Sequence, residues 1–274
     1  SSPMAAVANA MPRGLRRSET SLARRQRSRP IFIAANIPIF VGAFQQVRKE
    51  RASRSVPARD RLWYPSTNMV RRGEFLERSV VIPHRQATLD GLFHRGRGSS
   101  AVLIAPPHPD RGSMEVPIIA ELAWALARAG HPTLRFNYPG VGASPGAFSA
   151  SEALDALRSA AEHLTLSAGE SDGSRLIGAA VGWGAEVLAQ FEAPWRAVLL
   201  VQPPVQVWSQ IEHHDGPVAA FIAAGDVDDY RQAMHEAAAG RPRSRVVVIQ
   251  DADEAFRAGL VQLGHDVVDA LTAL

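Results

Sequence analysis

One stretch near the middle of the chain limits what the whole can fold into. It runs from Leu176 to Ala185 and reads Leu-Ile-Gly-Ala-Ala-Val-Gly-Trp-Gly-Ala. Its first half is a short apolar run, which is typical of a strand buried on both faces. Its second half has glycine at 182 and 184, and a helical pattern begins directly after it. A buried strand that passes through a tight turn into a helix predicts a parallel sheet covered by helices.

The chain from Phe75 onward repeats this order of strand and helix. Two short strands joined by a turn are predicted first, and buried strands then alternate with helices. The predicted strands are 79–82, 89–93, 101–105, 133–137, 176–180, 197–202, 218–224 and 246–250. The predicted helices are 116–129, 151–166, 185–191, 230–238 and 256–274. This pattern predicts an α/β fold with a mostly parallel central sheet and helices on both faces.

Two further motifs follow predicted strands. Pro-Pro-His-Pro at 106–109 is followed by Gly-Ser-Met at 112–114, and Leu-Arg-Phe-Asn-Tyr-Pro-Gly-Val-Gly-Ala-Ser occupies 134–144. With these motifs, the body from Phe75 to Leu274 resembles the α/β-hydrolase superfamily, and within it a bacterial-type branch of small serine hydrolases. The resemblance implies the α/β-hydrolase fold, in which the stretch at 176–185 is the nucleophile elbow.

The resemblance also implies a position for each member of a Ser–His–Asp triad. The nucleophile position holds Gly182, so no acyl-enzyme can form there. The G-x-x-D turn makes Asp228 the matching acid, with Asp226 and Asp229 beside it. The histidine position holds Glu254, a weak base at neutral pH that Asp228 would repel rather than orient. The triad is therefore predicted to be degenerate, and the chain is predicted not to be an enzyme.

An oxyanion hole of backbone N–H groups is implied around His108 and Trp183. The imidazole of His108 is expected to shape its loop through hydrogen bonds, although it could also serve a site. His265 is expected to be a partly exposed helical residue, and residues 213–215 (His-His-Asp) form a turn rather than a zinc site.

No cofactor or metal is predicted. The glycines at 140–142 and 182–184 lack the surrounding pattern of a dinucleotide fingerprint. The chain contains no cysteine, which excludes disulfides and thiolate ligands.

Residues 1–61 are predicted to be an extension, and 62–274 the folded domain. Up to residue 62 the chain carries thirteen Arg and Lys against three acids, whereas the remainder carries seventeen against twenty-four. The Arg- and Ser-rich composition of 1–29 is typical of mitochondrial import sequences, with a disordered arm as the alternative. Residues 30–44 are uncharged and as a helix would span about 22 Å, less than the roughly 30 Å of a bilayer core. A tilted membrane span, docking on a partner and packing on the chain's own domain all remain open.

These features favour a catalytically inactive accessory subunit of a mitochondrial membrane complex, of respiratory-chain or ATP-synthase type, at the inner membrane. Residues 1–60 would contact other subunits, and 30–44 would contact lipid. A mitochondrial ribosomal protein is an alternative, because an Arg-rich arm also neutralises RNA phosphates.

Two other functions stay open at this point. One is an enzyme with displaced machinery, using Ser144 or Ser149 with His108. The other is a module that binds an acyl group or small metabolite in the former catalytic pocket. An acid/base pair of Asp228 and Glu254 is less favoured than solvated or Arg-paired carboxylates.

Overall fold

A computed structural model of the chain describes residues 77–168 and 176–273. Within them an eight-stranded sheet has the order β1-β2-β4-β3-β5-β6-β7-β8. The strands are β1 (Glu77–His84), β2 (Ala87–His94), β3 (Val102–Ala105), β4 (Thr133–Phe136), β5 (Ile177–Val181), β6 (Ala197–Val201), β7 (Val218–Ala223) and β8 (Ser244–Ile249). The pairs β1–β2 and β2–β4 are antiparallel and the other five are parallel.

The helices cover both faces of this sheet. They are α1 (Pro117–Arg128), α2 (Ala153–Ala168), α3 (Gly184–Ala189), α4 (Val207–Gln210), α5 (Asp228–Ala239) and α6 (Leu260–Thr272). Helices α1 and α6 pack with one face, and α2, α3 and α5 contribute to the core on the other. Every residue of β3 to β7 is buried, which is why these strands read as short apolar runs.

The predicted fold class is confirmed, and the differences are the ends of some elements and one short helix that was not predicted. Helix α6 begins at Leu260 rather than at the predicted Phe256, because Phe256 and Gly259 have φ angles of +51° and +79°. Such angles do not continue a right-handed helix. Helix α4 has only four residues, too few for a helical repeat to show in the sequence.

Several predictions fall on residues outside the described ranges. The boundary between 61 and 62, the basic arm at 1–29 and the apolar segment at 30–44 all precede Glu77. They stay predictions. Among the helices of residues 77–168 and 176–273, none is both long and apolar enough to cross a bilayer.

Candidate functional site

The elbow keeps the shape of a turn that presents a side chain, although a glycine stands at its tip. Gly182 has φ of +55°, its N–H donates to the Val201 carbonyl oxygen at 2.8 Å, and its own oxygen accepts from Ala185 N at 3.0 Å. A Cβ atom placed on Gly182 would meet no heavy atom within 4 Å other than those of its two chain neighbours. Open space therefore lies where a nucleophilic side chain would stand.

Two loops next to Gly182 carry backbone N–H groups that have no acceptor among the residues described. The Trp183 N–H begins the turn into α3, and His108 carries the first N–H after β3, because residues 106, 107 and 109 are prolines. Within the described part of the chain, neither N–H has a hydrogen-bond acceptor. Two unused donors beside the elbow are what an oxyanion hole requires.

An aromatic cluster supports these two donors. The His108 ring lies edge-on to the rings of Phe148 and Trp183, with centroids 5.0 Å and 5.2 Å apart. Tyr138 is buried and packs edge-on to Trp183 at 5.8 Å, while its hydroxyl donates to the Pro106 oxygen at 3.3 Å. Nδ1 of His108 accepts from Asp110 N at 3.4 Å, in keeping with the loop-shaping role expected for it.

A buried polar network holds the end of the loop that carries His108, at Met114. Arg135 donates to the Met114 oxygen at 2.6 Å, and Asn137 Oδ1 accepts from the Met114 N–H at 3.0 Å. The guanidinium also donates to Glu77 through Nε and Nη2, at 2.9 Å and 2.6 Å. Asn137 N donates in turn to the Asp90 oxygen at 2.9 Å. In the sequence, Arg135 and Asn137 were noted only as parts of a motif. Arg135 is a charged residue within a buried strand, and that could have indicated its structural role.

The structure places Ser144 in the same network, which disfavours it as a nucleophile. Its side-chain oxygen accepts from Asp90 N at 2.8 Å and donates to the Asn137 oxygen at 2.9 Å, and the residue is 4% exposed. Ser149 instead hydrogen-bonds Ser151 at 2.8 Å. Among the described residues, no hydrogen bond joins Ser144 or Ser149 to His108.

The acid turn holds two carboxylates in different environments. Asp228 begins α5, its side chain is 90% exposed, and it forms an ion pair with Arg231. Asp226 is buried, and its two oxygens accept from Ala223 N at 2.8 Å and from Gln202 Nε2 at 2.9 Å. Asp226 therefore builds the turn, while Asp228 is exposed on its surface and pairs with Arg231.

The loop that carries Glu254 lies against this turn. Gly225 N donates to the Ala252 oxygen at 3.1 Å, and Gln202 Nε2 donates to the Glu254 backbone oxygen at 3.2 Å. The Glu254 side chain is exposed. The structure thus brings the turn that carries Asp226 and Asp228 together with the loop that carries Glu254. Sequence reasoning missed Gln202, which links the two loops and has a φ of +50° at the end of β6.

The other histidines singled out in the sequence lie away from the elbow. His265 is half-buried on α6, and the neighbouring carboxyl of Glu121 is close enough for their charges to interact. His214 is buried in a turn, where its backbone oxygen accepts from Arg241. Burial, and next the positive charge of Arg241, lower the pKa of His214 to about 4. Among residues 77–168 and 176–273, no group of three or more His, Asp or Glu side chains is placed to hold a metal ion.

Folding stability is expected to fall with acidification because of His214. Its pKa is lower in the folded chain than the ordinary value of about 6.5, so only the unfolded chain gains a proton as the pH falls from 6.5 to 4. Between pH 7 and pH 4 the parent should lose about 2 kcal/mol more than a His214→Gln variant, which is the linkage value of about 3 kcal/mol reduced for partial solvent screening. Urea unfolding at the two pH values measures the difference. Equal losses would contradict this assignment to His214. Burial also lowers the pKa of His94 and of His131, but both residues are present in the two proteins, so their effects cancel in the comparison.

No protein-family model and no curated protein sequence matches this chain. Solved structures do. An α/β serine hydrolase homologue from Coxiella burnetii is 22% identical with a TM-score of 0.62, covering 71% of this chain and 97% of that one. An α/β serine hydrolase without a lid from Xanthomonas campestris is 21% identical with a TM-score of 0.60, covering 75% and 97%. Est1E from Butyrivibrio proteoclasticus, bound to ferulic acid, is 12% identical with a TM-score of 0.59, covering 71% and 98%.

The prediction of an inactive accessory subunit of a mitochondrial membrane complex is wrong. The similar structures are described as serine hydrolases, esterases and a dienelactone hydrolase. The mitochondrial and membrane parts of the prediction depended on the composition of 1–44, and the inactivity on Gly182 and Glu254. The charge of an arm does not determine what the body attached to it does. Mitochondrial location, partners at 1–60 and lipid at 30–44 were not tested and stay predictions.

The strand order, the elbow, the two sequence motifs and the similar structures agree with one another. The body of this chain has the α/β-hydrolase fold, and a turn with Gly182 at its tip joins β5 to α3.

Proposed function

We propose that this chain binds a neutral acyl compound, an ester or an amide, at the elbow and does not hydrolyse it. The observation that carries the proposal is the combination at Gly182 of open space and two unused backbone donors, on Trp183 and His108. Those donors suit a carbonyl oxygen. Hydrolysis through an acyl-enzyme needs a nucleophile, and glycine supplies none.

The network beneath the donors supports a binding role. Arg135 and Asn137 hold the backbone of Met114 from both sides, so the loop that carries His108 is fixed before any ligand arrives. A preorganised loop binds without a further cost of ordering.

The charge around the site favours a neutral ligand over a carboxylate. The loops and first helical turns that follow β3, β5, β7 and β8 carry nine carboxylates and three arginines. The carboxylates are Asp110, Glu115, Glu186, Asp226, Asp228, Asp229, Asp251, Asp253 and Glu254, and the arginines are Arg111, Arg231 and Arg257. Such an excess repels anions.

Ferulic acid and its methyl ester test this preference, because they differ in charge but share the aromatic acyl group. Est1E binds ferulic acid. For this chain we expect methyl ferulate to bind at least about tenfold more tightly than ferulate at neutral pH, since the acidic rim opposes only the anion. Isothermal titration calorimetry measures both. Equal or reversed affinities would contradict the charge argument, and binding of neither would contradict the binding role.

The same samples test the absence of hydrolysis. The parent chain should neither react with a fluorophosphonate probe nor release ferulate from methyl ferulate, because Gly182 offers no hydroxyl. Specific labelling of any serine, or turnover above that of the heated protein, would overturn this part of the proposal.

A variant locates the ligand. Gly182→Asn places a side chain in the open space, and asparagine tolerates a left-handed φ. It should weaken methyl ferulate binding by about tenfold or more. The control is Gly130→Asn: Gly130 also has a positive φ, +100°, and open surroundings, but it precedes β4 and so lies at the other end of the parallel strands. Equal effects at the two positions would place the ligand elsewhere.

A further inference from the structure

Strand β8 forms one edge of the sheet and leaves half of its backbone groups without a strand partner. It pairs only with β7, in parallel. At its two ends, Val218 N donates to the Arg243 oxygen and Ala224 N donates to the Ile249 oxygen, so odd-numbered residues of β8 face β7. In a parallel pair alternate residues turn their N–H and C=O toward the neighbouring strand. The groups of Ser244, Val246 and Val248 therefore point away from β7.

From Val246 to Ile249, this edge lacks the features that discourage pairing with another strand. Residues 246–249 read Val-Val-Val-Ile, without a charge or a proline, and 244–248 are only half-buried. The opposite edge, β1, has exposed Glu77, Arg78 and Pro83. Charges and proline protect edge strands, whereas an apolar, regular edge invites a partner strand.

The charges that flank β8 indicate what that partner is. Arg241, Arg243 and Arg245 lie at its start, and Asp251, Asp253 and Glu254 follow its end. Antiparallel pairing with an identical strand places each basic end beside an acidic end, whereas parallel pairing places like charges together.

We propose that β8 pairs antiparallel with β8 of a second copy of this chain, centred on Val247. This register places Val246 opposite Val248 of the second copy, so that their outward backbone groups exchange hydrogen bonds. It also brings Arg243, directly before β8, close to Asp251, which follows β8, in the second copy. Both residues are exposed in the isolated chain. The result is a two-fold dimer with one continuous sheet.

The side chain of Arg245 supports this arrangement independently. Its Nε and Nη2 atoms are buried and have no acceptor among the described residues. A buried guanidinium without acceptors is costly and rarely left so. In the proposed dimer, Arg245 lies opposite Ile249 of the second copy, next to the exposed side chain of Asp251, whose carboxylate can accept.

Charge reversal at Arg243 and Asp251 tests the proposal on the full chain. Sedimentation velocity across a range of concentrations should show a dimer for the parent. Arg243→Glu and Asp251→Arg should each weaken dimerisation by about tenfold or more, because each places like charges opposite one another twice in a two-fold dimer. The control is Arg78→Glu, which makes the same charge change on the other edge strand and should leave the dimer intact.

Mixing the two single variants gives the decisive result. Glu at 243 in one copy then meets Arg at 251 in the other, and native Arg243 meets native Asp251, so a heterodimer should form at about the parent's affinity. A double variant with both changes should dimerise alone for the same reason. A dimer unaffected by any of these changes would place the contact on another face. A monomeric parent would overturn the proposal, and slow amide exchange at Val246 and Val248 in that monomer would show that another part of the chain covers this edge.

Discussion

Replacing Gly184 with alanine is expected to lower the free energy of unfolding by about 3 kcal/mol or more. A Cβ atom on Gly184 would lie 2.8 Å from the Ala105 carbonyl oxygen and closer still to that of Pro106. Both neighbours are backbone atoms at the end of β3, so no side chain can move aside. Helix α3 must shift away from β3, which disturbs the buried contacts of Ala185 and Leu188.

The matched variant is Gly182→Ala, two residues earlier on the same turn. Its added Cβ meets nothing within 4 Å, so only the left-handed φ of +55° opposes it. That strain costs about 1–2 kcal/mol. Urea unfolding followed by circular dichroism compares the two proteins. Equal losses, or a larger loss at 182, would show that the close approach of α3 to β3 is not what requires glycine in this turn.

This contrast also shows what sequence alone could and could not supply. The glycines of the elbow were visible in the sequence, but the sequence did not show why each of the two positions holds a glycine. Gly184 is required by a contact with β3, more than seventy residues earlier in the chain. Gly182 occupies a position with room for a side chain. Only the three-dimensional packing distinguishes a glycine that must stay from one that can be replaced.

The strands were predictable because burial on both faces leaves short apolar runs in the sequence. The turn that carries Asp226 and Asp228 was harder to predict. The G-x-x-D spacing selected Asp228, yet Asp226 is the buried carboxylate that shapes the turn through Ala223 and Gln202. The link from Gln202 to the Glu254 loop joins residues 52 positions apart, and no local pattern predicts such a pair. The charge pattern around β8 was present in the sequence as well, but it gains a meaning only once β8 is known to be an edge.

Restoring ester hydrolysis is expected to require two changes together. Gly182→Ser places a hydroxyl in the open space at the elbow, where φ is already that of a turn able to present it. Serine alone should stay inactive toward methyl ferulate, since Glu254 cannot act as the imidazole base. Adding Glu254→His supplies a base on the loop that already contacts the acid turn. The double variant should exceed Gly182→Ser by about a hundredfold in rate, because general base catalysis typically contributes about 10² to 10⁴.

The controls separate a restored base from a removed carboxylate. Gly182→Ser with Glu254→Gln takes away the same negative charge without adding an imidazole, and it should remain as inactive as the single variant. Asp228→Asn in the double variant should remove most of the gain, because Asp228 is the exposed carboxylate able to orient a histidine at 254. Fluorophosphonate labelling should follow the same order. Equal rates for the histidine and glutamine variants would show that the loop does not place residue 254 within reach of the elbow. The retained donors at Trp183 and His108 would then serve only to hold a ligand.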